Sequence, residues 1–149
     1  MSRTRNELSF VVPGRPIPAA RMTQRSKFAS ARARKSLEYQ EFVAWCARAK
    51  SKGAPAFSGP VELTCRFFFS DGRHGDLSNL VKAIEDGLQY GGIIRNDRQV
   101  IRYGAGTGIY FDEEERTEVR VRELKEVKEV RHEVGAHAVG KRKVRVGST

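Results

Sequence analysis

Asp76, Asn79, Lys82 and Asp86 are spaced by three and four residues, and Asp97 follows in the polar run RNDRQ. On a helix turning about 100° per residue, the first four share one side, away from Leu77, Leu80, Val81, Ile84 and Leu88. A solvated helix face usually mixes long Lys and Glu chains, whereas here two short carboxylates, an amide and one lysine stand together. A metal-dependent phosphodiesterase needs such a set. Hard carboxylate oxygens hold Mg²⁺, or Mn²⁺ in its place, to activate a water, and a cation beside the scissile phosphate offsets the charge that grows in the transition state. Simpler readings stay open beside this one. Asp76 is placed to cap the helix, Asp97 beside Asn96 suits a turn, and Lys82 with Asp86 suits an i, i+4 ion pair. His74, His132 and His137 are scattered and read as surface residues.

The elements that must carry these residues follow from periodicity. Leu8–Val12 reads as a first strand, ended by the prolines of PGRPIP. The basic, Ser/Ala-rich stretch 20–31 has no period and reads as a loop ordered by an anionic partner. Tyr39, Phe42, Val43 and Cys46 mark the buried face of a helix running from about Ser36 to Lys52-Gly53, with Trp45 pointing elsewhere. Val61, Leu63, Cys65, Phe67 and Phe69 alternate with Glu62, Thr64 and Arg66 as in a half-buried strand. The helix bearing Asp76 to Asp86 comes next and stops at Gly91-Gly92. A strand-compatible run from Val100 through RYGAGTGIYF and a last strand, TEVRVREL, complete the order. The expectation is an α+β fold, β-α-β-α-β-β, with a small mixed sheet and two helices packed on one face. Residues 1–124 form the domain, and 125–149 are a basic tail, partly disordered.

Charge narrows the class of partner. The chain has 28 Lys and Arg against 18 Asp and Glu, a formal +10, which suits a polyanion. The excess is densest near the N-terminus, so Arg15, Arg21, Arg25, Lys27, Arg32 and Arg34 are candidate phosphate contacts. No apolar run is long enough to span a membrane and no signal-peptide pattern is found, while Cys46 and Cys65 read as buried thiols; cytoplasmic placement is expected.

The run GDLSNLVKAIEDGLQYGGIIRNDRQV resembles the central motif of the RusA-type Holliday junction resolvases, and FVVPGRPIPAARM resembles that family's opening Gly-any-Pro-any-Pro segment followed by a basic residue. The likeness extends over residues 8–124. It implies a homodimeric, Mg²⁺-dependent endonuclease that resolves four-way DNA junctions by paired nicks in recombination and repair, without a nucleotide cofactor. The motif's first Asp falls on Asp76, its Asn on Asn79, its Lys on Lys82, its helix-face Asp on Asp86 and its final Asp on Asp97. Two positions depart from it: the second Asp is Ser78, and the first of the Asp-Asp pair is Asn96. Losing a carboxylate at Ser78 weakens the expected metal cage. A junction-binding protein of the same fold with weak or no nuclease activity is therefore the alternative expectation.

Overall fold

A computed structural model describes residues 3–4, 6–20 and 31–125. The strands are β1 (Arg3–Thr4), β2 (Glu7–Pro13), β3 (Val61–Phe69), β4 (Val100–Tyr103), β5 (Gly108–Phe111) and β6 (Arg116–Glu123). The helices are α1 (Ala31–Ser51) and α2 (Leu77–Tyr90), with a single 3₁₀ turn at Asp97–Gln99. β6 lies at the centre of the sheet, antiparallel to β2 on one side and to β3 on the other, and β1 extends the β2 edge.

Alternation in sequence decides which strand residues enter the core. Leu8, Phe10 and Val12, then Val61, Leu63, Cys65, Phe67 and Phe69, then Val119 and Val121, are all buried in one cluster with Tyr39, Val43 and Ala47 of α1 and Leu80, Ile84 and Leu88 of α2. Burying each of the larger side chains contributes about 2 kcal/mol, so one sheet face and two helix stripes suffice for a core. The α+β architecture expected from periodicity is thus formed, with both helices on the same face.

Three details differ from the sequence expectation. First, α1 begins at Ala31 rather than Ser36, and its buried stripe is Ala33, Tyr39, Val43, Ala44 and Ala47. Phe42 is 38% exposed and stacks on Trp45, Cys46 is only half-buried, and Leu77 of α2 is exposed as well. α2 comes very close through its glycines: a Cβ on Gly87 would lie 2.6 Å from Val43 Cγ1, and one on Gly91 3.0 Å from Ala44 Cβ.

Second, the run after Val100 is two strands, not one. β4 and β5 lie end to end along the same edge of β3, both parallel to it, with Val61 opposite Val100 and Phe69 opposite Phe111. Between them Gly104–Thr107 turns away, closed by Thr107 N–H donating to the Gly104 carbonyl at 3.1 Å. The Thr107 hydroxyl accepts from Cys65 N–H at 3.3 Å and so fills the gap in the ladder. Third, Glu62 is buried on the opposite sheet face between Arg102 and Arg122, at 3.2 and 2.9 Å, and the Arg122 hydrogen bond leads the causes that hold its carboxyl below the ordinary range. Among the described residues no helix is long and apolar enough to cross a membrane. The tail from 126 onward, with His132 and His137, lies outside the described residues.

Candidate active site

The segment between β2 and α1 and the loop before α2 build the rim of the site together. Ala19 N–H donates to the Asn79 carbonyl at 2.9 Å, and Pro18 packs so closely on Gly75 that a Cβ there would meet its ring at 3.0 Å. The proline-rich segment is therefore fastened to the first turn of α2. At that turn Asp76 occupies the N-cap position, and its carbonyl accepts Leu80 N–H at 3.0 Å. Its side chain makes no capping bond. An exposed carboxylate at the positive end of a helix is stabilised there without being consumed by it.

Asp97 is freed from turn duty in the same way. Asn96 does the capping: its side chain accepts Arg98 N–H at 2.8 Å, and Gln99 completes a reciprocal capping box. The Gln99 carboxamide accepts from Arg95 and Asn96 N–H at 2.6 and 3.1 Å and donates to the Phe57 and Gly59 carbonyls, both at 2.8 Å. Four bonds from one side chain fix the turn against the loop before β3. The Asp97 carboxylate instead points at Lys82, whose Nζ lies 3.0 Å from it and 3.2 Å from Asp86. The Asp97 bond is the leading cause that raises the Lys82 pKa, so the ammonium keeps its proton.

Behind this group, Glu85 is buried on α2 and accepts a hydrogen bond from the Tyr103 hydroxyl at 2.7 Å. Burial is the main cause pushing the Glu85 carboxyl up, and it also leads the causes raising the Tyr103 hydroxyl to about 12. Tyr103 carries no signal in the sequence, and Glu85, a candidate stand-in for the carboxylate missing at Ser78, falls between the apolar and polar arcs of the wheel. Gln99 had a signal that was legible, the Asn-any-any-Gln spacing of a capping box.

The structure joins Lys82, Asp86 and Asp97 directly, but it does not gather Asp76, Asp86 and Asp97 into one cage. Asp76 and Asp86 are ten residues apart, about 15 Å along the helix axis, beyond the reach of a single ion. Among the described residues no group of three or more His, Cys, Asp and Glu side chains is placed to hold a metal. The donor chemistry nonetheless fits Mg²⁺, which binds through one or two carboxylates and keeps waters and phosphate oxygens for the rest. Two hard carboxylates, those of Asp86 and Asp97, already converge on one cation, the Lys82 ammonium. Asn79 and Ser78 are exposed on the first turn of α2.

The expected phosphate contacts are distributed differently. Arg32 and Arg34 are exposed on the first turn of α1, while Arg21, Arg25 and Lys27 lie outside the described residues. Arg15 is bound within the chain: its guanidinium pairs with Glu115 at 2.6 Å and Asp71 at 3.1 Å, donates to the Arg73 carbonyl, and lies 5.0 Å from the centre of the Phe69 ring. A phosphate would have to compete with two carboxylates for it.

A family model described as endodeoxyribonuclease RusA matches residues 13–122. No curated protein matches the chain.

Proposed function

The chain belongs to the endodeoxyribonuclease RusA family, and from that membership we propose that it is a Mg²⁺-dependent, structure-selective nuclease that resolves four-way DNA junctions by paired nicks. The observation that carries the reading is the Lys82 ammonium held by Asp97 and Asp86, with Asn96 and Gln99 doing the structural work of the turn. Asp97 would hold the ion, with Asp76 or Asp86 as its second carboxylate, and Mn²⁺ would serve in place of Mg²⁺. When bound there, the metal supplies Lewis-acid activation and charge neutralisation at the scissile phosphate.

The chain's own residues do the rest. Lys82 is exposed on α2, and its charge would oppose the growth of negative charge on the phosphoryl oxygens of a strand laid along that helix. Asp86 retains the ammonium at the site when Asp97 is otherwise engaged. Asn79 offers an amide donor to the same backbone, and Arg32 and Arg34 add sequence-independent contacts to neighbouring phosphates. Four-way junctions have approximate two-fold symmetry, so an isologous homodimer brings one such site to each of two opposed strands. Products with a 5′-phosphate and a 3′-hydroxyl are expected.

Cleavage of a synthetic four-way junction with Mg²⁺, with Mn²⁺ and with chelator tests this reading. The expected result is metal-dependent paired nicking that Asp97→Asn removes while junction binding persists. Cleavage left intact by both Asp76→Asn and Asp97→Asn would overturn it. The Ser78 departure favours a second reading, a junction-binding protein that cuts weakly or not at all. Binding without nicking in the unmodified chain would establish it.

A further inference from the structure

An open groove of about 300 Å³ runs over the outward-facing rows of β2, β6 and β3, with the end of α1 at its margin. Its lining is built in register across three strands. Ser9 of β2, Arg120 of β6 and Thr64 of β3 form one cross-strand row; Val11, Glu118 and Arg66 form the next row on the same face. Lys50 joins from the last turn of α1.

Glu118, the one carboxylate in this lining, is held by Arg116 at 2.9 Å. Among the described residues, Arg66, Arg120 and Lys50 have no carboxylate within ion-pair distance. Thr64 is 6% exposed, and its hydroxyl is packed against Gly104, where a Cβ would collide with it, so it closes the floor and is not open to a ligand. The Arg66 guanidinium lies along the β4–β5 turn, where a Cβ on Gly106 would come within 3.1 Å of it, so backbone and not a carboxylate positions it. Two guanidinium groups and an ammonium outnumber the single carboxylate Glu118 in this lining, a balance that suits an oxyanion with several acceptor oxygens.

We propose that this pocket is a second nucleic-acid contact, a site for a phosphodiester group bound by Arg66, Arg120 and Lys50. It goes beyond the catalytic reading, because it lies on the sheet face opposite α2 and takes no part in the chemistry. Diagonal neighbours across adjacent strands are about 7 to 8 Å apart at Cα, so a backbone crossing β6 and β3 could meet Arg120 and Arg66 at consecutive phosphates. The chain would then hold DNA on both sides of its sheet.

The test measures affinity of the full chain for a four-way junction by fluorescence anisotropy across a salt series, without divalent ions so that no strand is cut. Arg66→Gln with Arg120→Gln should weaken binding and flatten the plot of log affinity against log salt by about 0.9 for each duplex phosphate no longer neutralised. Arg66→Lys with Arg120→Lys should keep the slope. An unchanged slope in the Gln variant overturns the proposal. A shift of the Arg66 Nε–H resonance on adding duplex DNA, absent with inorganic phosphate alone, supports a backbone site; saturation by inorganic phosphate alone assigns a free-anion site and overturns it. A change of oligomeric state in the Gln variant by sedimentation makes the face an interface between copies and overturns it too. Nicking by Asp97→Asn is scored separately, so the catalytic reading and this one can fail independently.

Discussion

Two ion networks in this chain have the same formal composition, one cation between two carboxylates, and opposite character. Arg15 sits between Asp71 and Glu115, and Lys82 sits between Asp86 and Asp97. Around Arg15 each carboxylate also accepts bonds from other donors. Glu115 accepts Ser70 N–H at 2.9 Å and the Ser70 hydroxyl at 2.8 Å, and Asp71 accepts Arg73 N–H at 3.0 Å. That network fastens the end of β2 to the loops after β3 and before β6. Around Lys82, among the described residues, the ammonium is the one group bonded to either carboxylate, and it rides at the surface on a stem with four rotatable bonds. A network whose carboxylates are also tied to backbone and hydroxyl donors maintains structure, whereas one bonded only to a single mobile ammonium can exchange that cation for another ligand.

Substitutions separate the two. The largest effect is expected for Asp97→Asn, a loss of junction cleavage of about 100-fold or more with an unchanged melting temperature. The matching change Asp71→Asn should do the reverse, and equal loss of cleavage in both would break the distinction. Lys82→Ala should cost cleavage about tenfold or more while Lys82→Arg recovers part of it; a fall in melting temperature with full activity would place Lys82 among the structural residues. Arg15→Ala should lower the melting temperature by about 3 °C, the response of a domain this size to about 1 kcal/mol, since exposed pairs are screened. Arg15→Lys should not restore it, because an ammonium cannot reproduce the fork.

The Arg15 network also has a pH signature. Asp71 and Glu115 are held below their ordinary values of 3.8 and 4.5, chiefly by the backbone N–H groups of Arg73 and Ser70 and then by other side-chain bonds, among them those from Arg15. Depressed carboxylates contribute stability above their unfolded values and lose it as pH falls through the folded ones. The difference in stability between the unmodified chain and Arg15→Ala should therefore narrow as pH falls below about 4.5 in thermal melts. A gap that widens on the acid side would contradict the assignment. The smallest effect is expected for Ser78→Asp, a few-fold gain in cleavage at limiting Mg²⁺ from the restored carboxylate.

The helix carrying the site was legible because its apolar residues keep a strict helical period from Leu80 to Leu88, and Asp76 was correctly placed at its head. What periodicity could not show is where side chains go once they are on the surface. Asp76 looks like a cap and does not act as one, and Asp97 looks like turn chemistry that Asn96 in fact performs. Arg15 reads as one more basic residue of an N-terminal arm, yet its partners lie 56 and 100 residues away. No local spacing encodes such a pairing. The α1 face was misplaced at Phe42 for a similar reason: the close approach of Gly87 to Val43 and of Gly91 to Ala44 sets which side of α1 turns inward, and only the packing of the second helix reveals that.

The divided strand along β3 has a consequence for how copies of this chain coexist. A sheet edge is a row of unsatisfied amides and carbonyls ready to recruit another strand, and this one carries exposed Ile101, Tyr103 and Phe111. Had β4 and β5 run on unbroken, the edge would offer a long, apolar template for aggregation. Split by the Gly104–Thr107 turn into two pieces of four residues each, it gives a foreign strand too short a stretch to zip along. The chain can therefore keep an aromatic-rich rim exposed without inviting its neighbours to grow from it.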